Sequence, residues 1–445
     1  MNTRLRSLWE HLRTSFWFVP TLMLIGAALL AFGTLALDQT PRFNIAQELG
    51  WVYTGGPEGA RSLLSMVAGS VMTVAGTTFS ITIAALTLAS SQFGPRLLRN
   101  FVADCGNQLV LGTFIATFLY CLLVLRTVRG TDANTFVPHL SVTVAIVLAV
   151  ASLGVLIYFI HHIATAIQAD TIITAVTHEL DAAIDRLYPE QLGEPHKRLN
   201  APPLDLAERF AQPSAQVAVA TSNYVQTIDG DALLQLATEH NLLIRLHFSP
   251  GQFVIAGETL AQVWPQEHAT AAVSAQVRAA YLLGAQRTET QDASFVVNQL
   301  VEIAARALSP GINDPFTAVA CVDRLGAALC SLYRRELPAM HRTDAAGTVR
   351  IVTTPLDYSA LTNIAFDQIR LYGCSSTAVL VRLLETLARL AENTRDRAVL
   401  ATLLQQAHAA QQSGDDALVS HRDREQVKQQ AQTTVQTIEH RQEHL

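Results

Sequence analysis

The chain has 445 residues, half of them apolar and only 15% charged, so it is long enough for two or three domains yet poor in the charge that an ordinary soluble surface carries. A net charge of −6 excludes a general nucleic-acid footprint. Lys197 and Lys428 are the only lysines, which excludes a GxxxxGK phosphate loop, a core Schiff-base lysine and a biotin- or lipoate-type attachment site. The charge is uneven. The first 165 residues are membrane-like, and the remainder has the amphipathic patterning of a soluble protein. Five cysteines (Cys105, Cys121, Cys321, Cys330, Cys374) with no CxxC pair argue for small buried residues and against a disulfide framework.

Residues 1–15 carry Arg4, Arg6 and Arg13 beside Trp9 and ahead of Trp17, a basic and aromatic flank suited to an interface. Residues 16–37 form a charge-free run of one bilayer thickness, too long for a signal-peptide core, and are expected to be a retained first span. A polar loop with Pro41, Gly55, Gly56 and Pro57 follows.

The 34 residues 62–95 contain no Asp, Glu, Lys or Arg. A second span is predicted at 62–91, longer than the roughly 20 residues a bilayer needs. It carries Ser65, Gly69, Thr73, Gly76, Thr77, Ser80, Ala84, Thr87 and Ser91 at steps of three to four, a stripe of small and hydroxyl residues. Such a stripe either packs membrane helices closely or forms the polar wall of a solute path. Either role places this helix at the centre of a bundle.

A basic turn at 92–104 leads to a third span at 108–125 and a fourth at 139–167, which ends near His161 and His162. Alternate loops hold five arginines (Arg4, Arg6, Arg13, Arg96, Arg99) against four (Arg42, Arg61, Arg126, Arg129), which sets both termini in the cytoplasm. Residues 168–215 are expected to be an amphipathic helix, with Ile172, Val176, Leu180 and Ile184 on one face, and then a Pro-rich linker.

Residues 216–266 read as a small β-rich module. Strands are expected at 224–228, 242–248, 252–255 and 259–264, with a helix capped by Asp229 between the first two. The PGQFVIAGETLAQV pattern is similar to the hairpin half of a biotinyl-lipoyl barrel, but it has no acceptor lysine. Residues 267–412 read as a helical domain. Its first helix places Val277, Ala280, Tyr281 and Gly284 on one face. Pro310 and Gly311 stop a later helix, Asp314 caps the next, and Pro315 takes its first position. Residues 348–353 read as a strand, and residues 376–392 as a long helix with Val379, Leu383, Leu384, Leu387 and Leu390 inward. A tail at 413–445 is polar and charged and is expected to be an exposed helix or partly disordered.

Two polar segments stand out, RTETQD at 287–292 and SPGINDP at 309–315. If they meet, Arg287, Gln291, Asp292, Asn313 and Asp314 make a pocket for a small anionic ligand, with free backbone N–H groups at Asp314. Otherwise they are a turn and a buried hydrogen-bond network. No metal site is expected. His161 and His162 are adjacent and point to different faces, and His440 and His444 fall in a terminus expected to fray. The GxSxG, HExxH, post-strand GxGxxG and DxDxDG motifs are all missing, so no catalytic residue, enzyme activity or cofactor is assigned. Cys374, just before a helix start, reads as a small core residue.

The segments GTTFSITIAALTLASSQFGPRLLRNF, YVQTID, PGQFV, RTETQD and above all LVEIAARALSPGINDPFTA resemble a bacterial family of predicted membrane proteins, domain of unknown function twenty-two fifty-four. The resemblance runs from about residue 13 to about residue 410, with Asn223 where glycine is expected before Tyr-Val-Gln. It implies an inner-membrane protein and brings no activity or site residues. The expected fold is a membrane α-helical bundle of four transmembrane helices (1–167) followed by a cytoplasmic α+β domain. The expected role is an oligomeric ion or solute channel or transport-like protein. The alternative is a membrane-anchored sensor or scaffold that binds a small anionic ligand.

Overall fold

The computed structural model describes residues 17–40, 52–94, 104–131, 134–188, 206–335, 337, 339–354 and 356–445. The orienting arginines Arg4, Arg6, Arg13, Arg42, Arg96 and Arg99, together with Trp9 and the linker up to residue 205, lie outside the described residues. The chain divides into two compact units, Met1–Thr171 and Ile172–Leu445.

The first unit is built from α1 (Phe18–Asp38), α2 (Pro57–Phe93), α3 (Cys105–Leu125) and α4 (His139–Ala166), with a short hairpin of β1 (Arg129–Thr131) and β2 (Asn134–Phe136) between the last two. Local chemistry sets the helix limits. Gly56 and Pro57 open α2, and Gly94, at a φ of 115° that suits glycine, closes it. The side chain of Asp104 caps α3 by accepting from the Gly106 amide at 2.8 Å.

The centre of this bundle is α3, which packs against α1, α2 and α4. Half of its apolar window is buried, against 17% for α2. The expectation that α2 would be central is therefore corrected. Its small residues contact the bundle through only one face, while α3 presents Val110, Phe114, Tyr120, Cys121 and Val124 inward.

Polar clamps tie the helices at both ends. At one end Asp38 accepts from the Leu140 and Ser141 amides (3.0 and 2.9 Å) and from the Ser141 hydroxyl (2.7 Å), so α1 supplies the cap of α4. The Tyr120 hydroxyl bonds Thr34 at 2.9 Å and donates to the Ser141 carbonyl at 3.0 Å. In the same region Arg61 donates to the Val128 carbonyl at 3.0 Å, and His139 Nδ1 lies 2.7 Å from the Tyr53 carbonyl. At the other end Asp104 pairs with His162.

The second unit opens with α5 (Ala169–Leu187), whose Leu180 and Ile184 pack against the helical part of this unit. Next come α6 (Leu206–Ala211), β3 (Ala215–Ala218), β4 (Asn223–Ile228), α7 (Gly230–Glu239), β5 (Leu243–Leu246), β6 (Phe253–Val254), β7 (Thr259–Trp264), α8 (Ala271–Ala279) and β8 (Tyr281–Gly284). The remainder comprises α9 (Ala293–Ala307), α10 (Pro315–Tyr333), β9 (His341–Thr343), β10 (Val349–Val352), α11 (Tyr358–Tyr372), α12 (Thr377–Asn393), α13 (Arg397–Ala417) and α14 (His421–Glu443).

The strands form two sheets with orders β3-β7-β5-β10-β9 and β6-β4-β8. Every pairing is antiparallel except β10 with β5. The β-rich part is thus not confined to 216–266, because β8, β9 and β10 return to it from the helical region. Residues 281–284, expected to continue a helix, instead form β8. Tyr281 points into the core and Leu283 packs against it, while Leu282 is exposed, the two-residue period of a strand. The core between the sheets, α7 and α8 holds Val225, Leu233, Ile244, Leu260, Val263, Val277 and Ile351.

The helical part is built on α12, whose Val379, Leu380, Leu383, Leu384, Leu387 and Leu390 are fully buried. The chain crowds closely here. A Cβ on Gly326 of α10 would fall 2.4 Å from Thr386 Cγ2 of α12. The tail is a helix, one of the two forms expected of it, but it is not exposed on every side, because α13 and α14 pack on α12. The polar composition of α14 conceals a narrow stripe (Val427, Ala431, Thr434, Ile438) at steps of four, three and four, and all four residues are buried.

Among the described residues, five helices are long and apolar enough to cross a membrane, namely α1 to α4 and α10.

Candidate functional site

The small-residue stripe lies on the outer surface of the first unit. Ser65, Gly69, Thr73, Gly76, Thr77, Ser80, Ala84, Thr87 and Ser91 are all exposed. At 3.6 residues per turn they cluster roughly 180° from the buried face, which consists of Ala60, Leu64, Ala68, Val71, Ala75, Thr78 and Ala89. Their hydroxyls bond backbone carbonyls of the preceding turn: Thr73 to Gly69 (3.0 Å), Thr77 to Thr73 (3.1 Å), Ser80 to Gly76 (2.9 Å) and Thr87 to Ile83 (2.9 Å). A Cβ added at Gly69 or Gly76 would meet nothing within 4 Å. Packing among the described residues therefore does not require the glycines of the stripe. Met66, Met72, Phe79, Ile81, Ile83 and Leu88 flank it and are also exposed.

Where α3 begins and α4 ends, Asp104 Oδ2 and His162 Nε2 are in hydrogen-bonding contact. The Tyr158 ring stacks on His162 with centroids 5.3 Å apart and planes 14° apart. Gly106 allows this approach, since a Cβ there would lie 2.7 Å from His162 Nε2. The side-chain oxygen of the buried Asn107 beside it has no hydrogen-bond partner among the described residues. Sequence reading named His162 but not Asp104, because 58 residues separate them.

The two polar segments of the second unit do not meet. They flank opposite ends of α9, whose 15 residues span about 22 Å. The pocket expected from their meeting is therefore corrected, and each segment has its own local role. Arg287 Nε and Nη2 donate to Asp292 Oδ2 at 2.9 and 2.6 Å, and Nη2 also donates to Ser294 Oγ at 2.7 Å. Asp292 Oδ1 accepts from the Ser294 hydroxyl and the Phe295 amide, so this buried carboxylate also caps α9. Gly251, at a φ of 91°, leaves room for it, because a Cβ would fall 2.1 Å from Asp292 Oδ2. Gln291 acts as a strand edge, accepting from the Ile228 amide at 2.8 Å and donating to its carbonyl at 3.2 Å. At the far end Asn313 has a φ of 50°, and Asp314 caps α10 by accepting from the Phe316 and Thr317 amides at 3.1 and 3.2 Å.

A cavity of about 370 Å³ opens elsewhere in the second unit, lined by Arg209, Gln212, Asn241, Trp264, Thr348 and Arg350 among others. The Arg209 guanidinium sits 5.3 Å from the Trp264 ring centroid. Arg350 donates to Asn241 Oδ1 at 2.6 Å and to Asp344 Oδ2 at 2.7 Å. That bond, together with the Thr348 amide, holds the Asp344 carboxyl below the usual carboxylate range. These residues come from α6 and the segment just after it, the α7–β5 turn, β7 and the β9–β10 hairpin, and no local motif in the sequence joins them.

These features define a helical membrane protein with a second unit of helices and small sheets. The chain belongs to the family described as Predicted membrane protein (DUF2254), which matches residues 13–389. It is 33% identical over 401 residues to Uncharacterized protein Mb1321c of Mycobacterium bovis and to Uncharacterized protein Rv1290c of Mycobacterium tuberculosis, an alignment that covers 89% of this chain and 75% of each relative. No solved structure matches the chain.

Proposed function

We propose that this protein is an oligomeric ion or solute channel, or a transport-like protein, of the bacterial inner membrane. In this reading α1 to α4 span the bilayer, both termini are cytoplasmic, and the second unit regulates or assembles the pore. Among the five apolar helices, α10 is a core helix of the second unit. Its Ala318, Val322, Leu325 and Leu329 are buried, and Asp323 on its other side approaches Arg382 of α12 at 3.6 Å.

The observation that carries the reading is the outward polar stripe of α2. A hydroxyl and glycine face turned away from its own bundle, and free of any side chain that needs those glycines, suits contact with further copies around a shared path. Four helices alone enclose too little space for a pore, so the reading requires a homo-oligomer. The test is ion flux through purified protein in liposomes, beside empty liposomes and a Thr77→Leu variant. Saturable or ion-selective flux that the variant alters supports the reading. No flux across several ions and pH values counts against it.

A second reading, a membrane-anchored sensor or scaffold for a small anionic ligand, is favoured by the cavity beside Arg209, Trp264 and Arg350. Its size falls within the range of small-ligand sites. Arg287, committed to Asp292, is a poor anchor for such a ligand.

A further inference from the structure

The last helix ends in His440-Arg441-Gln442-Glu443-His444. Sequence reading sets this segment aside because a frayed terminus cannot hold ligands in place. The packing of α14 removes that objection. Ile438 is fully buried, Thr434 Oγ1 donates to the Leu384 carbonyl at 3.0 Å, and Arg441 Nε donates to the Thr394 carbonyl at 3.3 Å. The helix is thus tied to α12 and its C-terminal loop to within one turn of its end.

Helical spacing puts residues i, i+3 and i+4 on one face. The ligand atoms of His440, Glu443 and His444 all lie within 4.8 Å of one another. Tetrahedral zinc with bonds of about 2.1 Å needs donors about 3.4 Å apart. All three side chains are exposed, so small rotamer changes close that gap without disturbing the core.

The His444 ring is also held by a backbone contact. Its Nδ1 lies 2.8 Å from the His440 carbonyl. A carbonyl only accepts, so the contact is made through an Nδ1–H, and in the neutral ring that tautomer leaves the Nε2 lone pair free for a metal. Metal-binding histidines are oriented by this same type of second bond. Two imidazoles and one carboxylate suit a borderline divalent cation, whereas calcium and magnesium favour all-oxygen sets. The order H-x-x-E-H reverses the H-E-x-x-H of zinc peptidases, but here the residues stand on an open surface with no enclosed cleft among them.

We infer that His440, Glu443 and His444 form a surface site for one borderline divalent cation of the zinc class, with its remaining positions open to water or to a ligand from another molecule. The inference is independent of the channel reading.

The test uses the full chain in detergent, without a histidine tag, titrated with Zn²⁺ by calorimetry and with Co²⁺ by visible absorption. One saturable equivalent is expected. Loss of a second-shell partner already weakens metal sites by about 10–100-fold, so His440→Ala and His444→Ala should each weaken binding at least about tenfold. His421→Ala, at the exposed opposite end of the same helix, should bind as wild type does. Equal thermal midpoints of the metal-free variants and wild type would show that folding is intact. Binding unchanged in His440→Ala, or no saturable equivalent in the wild type, would overturn the inference.

Discussion

Placing leucine at Gly76 and, separately, at Ala75 separates the two faces of α2 at one membrane depth. Gly76 is exposed and a Cβ there meets nothing within 4 Å among the described residues, so a larger side chain extends away from the bundle core. Glycine is also about 1 kcal/mol worse than alanine in a helix interior. The folded chain carrying Gly76→Leu should therefore be as stable as wild type, or more stable by up to about 1 kcal/mol. Ala75 is 4% exposed and packs among Val71, Val110, Phe114 and Phe159. Three added carbons there overfill a closed core, at a cost of about 1–3 kcal/mol. Thermal unfolding in detergent reads the stability, and light scattering coupled to size exclusion reads the assembled mass. Gly76→Leu should keep its thermal midpoint but lose assembled mass, and Ala75→Leu should lose midpoint. A Gly76→Leu protein that unfolds as early as Ala75→Leu would show that the stripe packs within the chain. One of normal stability and unchanged mass would show that it faces lipid alone.

Two further outcomes follow from the second unit. Arg287→Ala strands the Asp292 carboxylate, whose side chain is 3% exposed, and should destabilise the unit by about 3–5 kcal/mol whether or not any ligand is present, as chemical denaturation would show. Asp344 is held below its ordinary range mainly by Arg350, so the stability this pair contributes is present above about pH 4 and is lost as the pH falls below that. The gap in thermal midpoint between wild type and Asp344→Asn should accordingly be largest near neutrality and shrink below about pH 4. A gap that does not change with pH would refute the assigned role.

Much of the fold was legible because its signals are local. Charge-free runs marked the four apolar helices of the first unit, and Asp229 and Asp314 capped helices as their positions implied. The errors arose where distant residues decide the outcome. Residues 281–284 pair with β4 and become a strand, although their immediate sequence suits a helix. The fit of β10 beside β5 joins segments about a hundred residues apart. The polar tail folds because four small or apolar side chains find α12. The stripe on α2 was visible from spacing alone, but the direction it faces was not, since that depends on which helix neighbours compete for Ala68, Val71 and Ala75. The Asp104–His162 contact and the cavity at Trp264 likewise arise from tertiary neighbours that no motif announces.

The most direct test of the central claim places single cysteines along α2 in a chain otherwise free of cysteine. Flux through liposomes is then measured before and after a charged, membrane-impermeant thiol reagent. Thr73→Cys, Thr77→Cys and Ser80→Cys lie on the stripe, and Thr78→Cys lies on the buried face. Block is expected at the three stripe positions and none at Thr78. Flux that the reagent leaves untouched at every stripe position, or that it blocks equally at Thr78, would contradict a path lined by this helix.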